Sequence, residues 1–167
     1  DRDRELIRRA FSAMARNDIS ELTEVILTLG IHDGTYDYNR LYLLLAVLEK
    51  RIGLRFSACD AYLNVIGGLR LDDPGADLPA ALALISCMKD IPLPDDLIAV
   101  GEIGLSGECR AISNAEQRVK EAERLGFSRI LLPAKNIGKG KLDPDSFGIR
   151  LIPVKGLFDA LAYMKKQ

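Results

Sequence analysis

The sequence has few of the residues that build several common classes of protein. Its 167 residues include no Trp, one His and three Cys, and aromatic residues make up 6%. The cysteines, Cys59, Cys87 and Cys109, are far apart and odd in number, so we expect no disulfide scaffold. No apolar run reaches the roughly 18–20 residues of a membrane span, and no charged-then-apolar leader opens the chain. We therefore expect a reduced, cytoplasmic chain whose net charge of −1 excludes a generally basic nucleic-acid-binding protein.

Apolar residues make up 48% of the chain, which is enough for a sizeable core. Their spacing predicts an α/β domain over residues 36–167, preceded by a helical N-terminal extension over residues 1–35. The spacing predicts a helix from Asp37 to Gly53, a turn at 72–75 and a largely buried helix at 76–88. Further helices are predicted at 115–125, capped by Ser113-Asn114, and at 158–164. Strands are predicted at 61–66, 97–100, 108–112, 130–132 and 149–154.

Phosphate and metal motifs are incomplete in this sequence. The segment Gly138-Lys-Gly-Lys141 lacks the earlier glycine and the following Ser or Thr of a phosphate-binding loop. Glycines 101, 104 and 107 have the spacing of hairpin-turn glycines rather than of a dinucleotide-binding loop. His32 has no second histidine and no Cys pair nearby, so no metal site is predicted. The cysteines in the predicted helix and strand, Cys87 and Cys109, are expected to lie in the core.

The small net charge conceals an uneven distribution along the chain. Residues 57–108 contain two basic and nine acidic residues, a net charge of −7, whereas residues 110–141 contain eight basic and three acidic residues, a net charge of +5. Such stretches can meet between copies of a chain or present one basic face to a polyanion, and they can also be ordinary solvated surface. The sequence leaves these readings open.

Four segments in order resemble the C-terminal, Lon-protease-like domain of the RadA family of bacterial DNA recombination and repair proteins. They are Ala61-Tyr-Leu-Asn-Val-Ile-Gly-Gly68, Asp72-Asp-Pro-Gly-Ala-Asp-Leu78, Val100-Gly-Glu-Ile-Gly-Leu-Ser-Gly-Glu108 and Glu116-Gln-Arg-Val-Lys-Glu-Ala122. The resemblance runs from about residue 36 to the C-terminus and implies a Lon-like α/β fold of small mixed sheets packed with helices. Residues 1–30 match nothing in that family.

The Lon fold implied by this resemblance holds a Ser-Lys catalytic dyad. Gly75 occupies the serine position and Glu116 the lysine position, so neither a nucleophile nor an amine base is present. Lys120 lies one helical turn beyond Glu116 and is expected to pair with it. We therefore expect no catalysis at these vestigial positions.

The resemblance implies a non-catalytic domain that serves a ring-shaped ATPase as an oligomerisation scaffold and a DNA-binding platform. The expected partners are further copies of the chain, in a hexameric ring, and single-stranded or branched DNA. ATP, Mg²⁺ and Zn²⁺ are expected only in other parts of the parent protein, so this chain needs no cofactor. The alternatives are a Lon-type Ser-Lys peptidase and a peptide-binding adaptor. The candidate DNA contacts are Arg110, Arg118, Lys120, Arg124, Arg129 and Lys135, with Lys139 and Lys141 in the same basic stretch.

Overall fold

The computed structural model describes residues 37–56 and 72–166. The chain divides into two compact units, Asp1–Tyr42 with Arg55–Asp72 and Leu43–Leu54 with Asp73–Gln167. Nearly all of the described residues belong to the second unit, which contains both sheets. In the described part of the chain, no helix is long and apolar enough to cross a membrane.

Helix α1 spans Tyr38–Val47 and ends in a short π-helical turn, Leu48–Ile52. The carboxylate of Asp37 accepts a hydrogen bond from the amide of Asn39 at 2.8 Å, as expected of a residue that begins a helix. Gly53 ends the turn with a φ of 74°, a conformation that glycine adopts readily. The predicted helix and its two ends are confirmed, but the sequence did not predict its π-helical last turn.

A single 3₁₀ turn, Pro74–Ala76, leads directly into helix α2, which spans Asp77–Lys89. Pro79 lies in the first turn of α2, where its missing N–H leaves no helical hydrogen bond unmade. The helix is largely buried, as predicted. Cys87 is a correction, because it lies exposed near the end of the helix rather than in the core, whereas Cys109 is buried.

The strands form two small sheets, one parallel and one antiparallel. Strands β1 (Leu97–Ala99), β4 (Arg129–Pro133) and β5 (Arg150–Val154) form a parallel sheet in the order β1-β4-β5. Strands β2 (Glu102–Ile103) and β3 (Cys109–Arg110) form an antiparallel hairpin. The strand predicted at 108–112 is therefore only two residues long. The two sheets confirm the predicted α/β class and the small size of its sheets, although neither sheet mixes parallel and antiparallel strands.

Helices cover the parallel sheet and close the core. Helix α3 spans Ala115–Arg124, and its Val119 and Ala122 pack with Ile130 and Leu132 of β4. Leu131 points to the opposite face by strand alternation and is fully buried as well. Helix α4 spans Leu157–Met164, packs against α2 and contacts β5. A central strand buried on both faces is typical of a parallel sheet covered by helices.

The start of helix α3 differs from the prediction that Ser113-Asn114 caps it. Asn114 has a φ of 53° and makes no side-chain cap hydrogen bond, so α3 begins without the predicted Ser-Asn cap. Its conformation turns the chain sharply at the helix entry, a role that Asn tolerates better than most residues.

Several predictions concern parts of the chain outside the described residues. They are the helices of the N-terminal extension, the strand at 61–66, the domain boundary near residue 35 and the surroundings of His32 and Cys59. They stay predictions.

Candidate functional site

The turn that carries the predicted serine position is tied closely to the end of strand β1. The amide of Gly75 donates to the carboxylate of Asp73 at 2.9 Å, and its carbonyl accepts from the amide of Gly101 at 2.8 Å. The carbonyl of Gly101 in turn accepts from the amide of Leu78 at 2.9 Å. The turn is therefore fixed at the carboxyl edge of the parallel sheet, the edge at which α/β proteins usually bind ligands.

Gly75 is buried in a space that leaves little room for a side chain. A Cβ atom there would lie 3.1 Å from Val100 Cγ2, 3.1 Å from Asp73 Oδ1 and 3.4 Å from the Arg118 guanidinium. Apolar carbons prefer separations of about 3.5–4.0 Å, so the neighbours would have to move. The position predicted for the serine therefore has a glycine, and the turn around it is packed so closely that a side chain would displace its neighbours.

Arg118 is the charged group that borders this turn. Its guanidinium lies 2.5 Å from the carboxylate of Asp73, and its Nε donates to the carbonyl of Ser113 at 3.1 Å. Asp73 therefore holds the turn with one oxygen and helix α3 with the other. The sequence predicted Arg118 as a DNA contact and gave no signal that it would face the serine position.

Glu116, at the predicted lysine position, lies on the solvent side of α3. Lys120 donates to its carboxylate at 2.6 Å, and this hydrogen bond lowers the pKa of Glu116 below its usual value. The pairing predicted from the sequence is confirmed. The amine of Lys120 is thus directed towards Glu116 on the exposed side of the helix.

A shallow groove of about 570 Å³ follows this face of helix α3. Its lining side chains are polar or charged: Asn114, Glu116, Gln117, Lys120, Glu121 and Arg124. Arg124 forms two hydrogen bonds with Glu121, at 2.6 and 2.8 Å. The basic residues that the groove exposes are therefore already matched by acidic residues one turn away.

Two further predicted contacts, Arg110 and Arg129, are also matched by carboxylates. Arg110 on β3 lies 3.0 Å from Glu108 and 3.4 Å from Glu102. Arg129, at the start of β4, donates to both carboxylate oxygens of Asp96. Lys135 differs from these residues, because it pairs with no carboxylate within residues 37–56 and 72–166.

The Arg129 cluster joins three elements. Asp96 precedes β1 and accepts from Arg129 and from the hydroxyl of Ser128, and these hydrogen bonds lower its pKa to about 2. Arg129 also donates to the hydroxyl of Tyr163 on α4 at 3.2 Å. Through these contacts Arg129 connects the start of β4 to the residue before β1 and to helix α4.

These pairs change the interpretation of the uneven charge along the sequence. The carboxylates of Asp73, Asp96, Glu102 and Glu108 come from the acidic stretch, and the arginines that they meet come from the basic stretch. Within the described residues, three arginines of the basic stretch are therefore paired with carboxylates of the acidic stretch inside one chain. For these three arginines, a meeting of acidic and basic faces between copies is not needed to give each charge a partner.

Asp77 is an organising residue that sequence reasoning missed. Its side chain is only 4% exposed, and one of its oxygens accepts a hydrogen bond from the amide of Ile103 at 3.1 Å. This bond ties the start of α2 to the hairpin. Burial, with a smaller contribution from the Asp77 charge, raises the pKa of the neighbouring Cys109 thiol to about 12. The feature of the sequence that could have revealed Asp77 is an acidic residue at the start of an otherwise apolar helix.

Comparisons with known proteins place the chain in a family. Residues 44–136, more than half of the chain, match the family model described as Subunit ChlI of Mg-chelatase. The chain belongs to the family that this model describes.

The chain is also related to proteins named DNA repair protein RadA. It is 47% identical over 126 residues to the DNA repair protein RadA of Synechocystis sp., 46% identical over 125 residues to that of Bacillus subtilis, and 40% identical over 126 residues to that of Escherichia coli. Each alignment covers 75% of this chain but only 24%, 27% and 26% of the relative. The chain thus spans about a quarter of the length of these curated relatives.

Proposed function

We propose that the chain is the non-catalytic, Lon-like domain of a RadA-type DNA repair protein, and that it serves as an oligomerisation scaffold and a DNA-binding platform. The observation that carries this proposal is the identity of 40–47% to DNA repair proteins named RadA over three quarters of the chain. The parent protein would be a DNA-dependent ATPase of the bacterial cytoplasm, with its motor outside this chain.

The geometry at the predicted dyad supports a non-catalytic role. The serine position is a crowded glycine, and the lysine position is a glutamate paired with Lys120. The charged group nearest to Gly75 is the guanidinium of Arg118, and a guanidinium offers hydrogen-bond donors but no acceptor. A Ser-Lys peptidase needs a hydroxyl nucleophile with an unprotonated amine beside it, and the described residues provide neither at these positions.

Exposed apolar side chains support the assembly part of the proposal. Leu105, in the β2–β3 turn, and Phe158, in the first turn of α4, are each 64% exposed. A hydrogen bond of 2.9 Å from the amide of Leu157 to the carbonyl of Gly107 joins the hairpin turn to the start of α4. Exposed apolar side chains on neighbouring segments can form the contiguous patch that is typical of a protein–protein contact.

For the DNA-binding part, the six basic residues predicted from the sequence remain the candidate contacts. The test is the affinity of the purified chain for labelled single-stranded and branched DNA, measured by fluorescence anisotropy at several salt concentrations. We expect binding that weakens steeply as salt rises, because phosphate contacts release counterions. Absence of binding even at low salt would refute the DNA-binding platform and favour the peptide-binding adaptor. Casein cleavage, or labelling by a serine-directed covalent probe, would favour the peptidase.

A further inference from the structure

The connection between β4 and β5 contains a loop with three exposed lysines. Lys135, Lys139 and Lys141 fall within the segment 134–142, which begins at the carboxyl end of β4. None of the three pairs with a carboxylate of the residues that the structure describes. This sets the loop apart from the other predicted contacts, since Arg110, Arg118, Lys120, Arg124 and Arg129 all have carboxylate partners.

The loop is held in a defined conformation from its two ends. The side-chain amide of Asn136 donates to the carbonyl of Ile112 at 2.9 Å and accepts from its amide at 3.0 Å. Leu142 is buried at 6% exposure, and its amide donates to the carbonyl of Asn136 at 3.1 Å. Between them, Gly138 and Gly140 have φ values of 128° and 75°, which only glycine adopts without strain. The lysines thus project from a framework that is already ordered before a ligand binds.

The ammonium groups of the loop form no ion pairs with the acidic residues that follow, within the part of the chain that the structure describes. Lys141 Nζ donates to the carbonyl of Lys135 at 2.6 Å, which brings its ammonium group next to the Lys135 backbone and leaves two of its three donors available. Both carboxylate oxygens of Asp143 accept hydrogen bonds from the next turn, from the amide of Asp145 and the hydroxyl of Ser146. Asp143 is thereby turned towards the 3₁₀ turn that follows it, Pro144–Ser146.

A phosphate that approaches the ion-paired arginines must compete with a carboxylate already in contact with each of them. A phosphate that approaches the loop meets ammonium groups without such a competitor and a backbone that needs little ordering, so less of the interaction energy is lost on binding. We propose that the loop 134–142 is the primary contact of this chain with the DNA backbone. In this proposal, which rests on the proposed function, Lys135, Lys139 and Lys141 each neutralise one phosphate, independently of base sequence.

The experiment compares the salt dependence of DNA binding by the unchanged 167-residue chain and by the triple variant Lys135→Gln, Lys139→Gln, Lys141→Gln. For single-stranded DNA the slope of log K against log salt changes by about 0.7 for each phosphate contact, so the triple variant should lose about 2 units of slope. At about 0.1 M salt this corresponds to an affinity up to roughly 100-fold weaker, a difference that should nearly vanish near 1 M salt.

Two matched variants serve as controls. One tests whether any loss of three positive charges has the same effect, and the other tests whether changing the loop side chains without changing their charge has an effect. The variant Lys155→Gln, Lys165→Gln, Lys166→Gln removes three exposed lysines elsewhere and should keep the slope of the unchanged chain. The triple Lys→Arg variant of the loop keeps the charges and should keep the slope as well. If the first control loses as much slope as the loop variant, or if the Arg variant loses slope too, the proposal is wrong.

The remaining outcomes distinguish this proposal from the proposed function. Binding by the unchanged chain with an unaltered slope in the loop Gln variant refutes the loop contact and leaves the DNA-binding platform standing. No DNA binding by the unchanged chain refutes both. Single-stranded RNA of the same sequence should show the same loss in the loop variant, because both polymers carry the phosphates. A loss confined to DNA would contradict contact through phosphate.

Discussion

Placing a serine at position 75 tests whether the vestigial site is closed by packing as well as by its missing base. In Gly75→Ser the new Cβ would begin 3.1 Å from Val100 Cγ2, which is about 0.4–0.9 Å short of a comfortable carbon–carbon separation. It would also press on the Asp73 carboxylate that holds the turn. Overpacking of this kind costs about 1–3 kcal/mol, and we expect a loss in the free energy of unfolding of about 1–2 kcal/mol.

The assay is urea unfolding followed by circular dichroism, in which the midpoint should fall while the slope m stays unchanged. In a thermal scan the same loss should lower the Tm by roughly 2–4 °C per kcal/mol for a chain of this size. Gly75→Ala is the matched control, because it adds the Cβ without the hydroxyl and should lose nearly as much stability. A serine-directed probe should label Gly75→Ser no more than it labels the unchanged chain.

A double-mutant cycle with Val100→Ala isolates the proposed clash. Val100→Ala removes the methyl group that the new Cβ meets, so Gly75→Ser should cost less in that background, with a coupling of about 1 kcal/mol. Full stability of Gly75→Ser, or specific labelling of its new serine, would refute the reasoning that this turn is packed for glycine.

Three further predictions follow from single groups. Iodoacetamide should modify Cys87 in the native protein and leave Cys109 unmodified, because Cys109 is buried and its pKa is raised to about 12; peptide mapping that finds equal modification would contradict this. Asp96 has its pKa lowered to about 2 by hydrogen bonds, so it stabilises the fold above about pH 4 and this contribution is lost as the pH falls towards 2. Asp96→Asn should therefore lose less stability across that window in acid titrations, and an identical acid profile would argue against the contribution. Asn136→Ala should destabilise the chain by about 2 kcal/mol, because it leaves backbone groups of Ile112 unsatisfied, and faster amide exchange at Ile112 should accompany the loss.

The sequence predicted the elements that depend on local pattern. Four elements combine a clear apolar period with a recognisable end: the helix ended by Gly53, the apolar helix after Pro74, the last helix and the central strand β4. The two-residue strands β2 and β3 are less visible, because such a short ladder depends on its partner strand rather than on its own pattern. The exposure of Cys87 was not predicted, because it depends on where helix α2 leaves the core. The last turn of an apolar helix can be exposed although its residues are as apolar as those of the buried turns.

The sequence predicted which residues occupy the candidate site, but it did not predict most of the contacts that these residues make. Motif spacing located Gly75 and Glu116, and helical spacing located the pair of Glu116 with Lys120. Contacts such as that of Asp73 with Arg118 join residues 45 positions apart in the sequence, and no local pattern reports them. For the same reason, the eight basic residues of 110–141 look like one set in the sequence, although five of them have acidic partners in the fold.

The measurement that tests the central proposal most directly is the mass of the purified chain in solution, by size-exclusion chromatography with light scattering, with and without single-stranded DNA. We expect a homo-oligomer that elutes together with the DNA, without cleavage of protein substrates and without labelling by a serine-directed probe. A chain that stays monomeric at high micromolar concentration, and that elutes apart from the DNA at low salt, would contradict it.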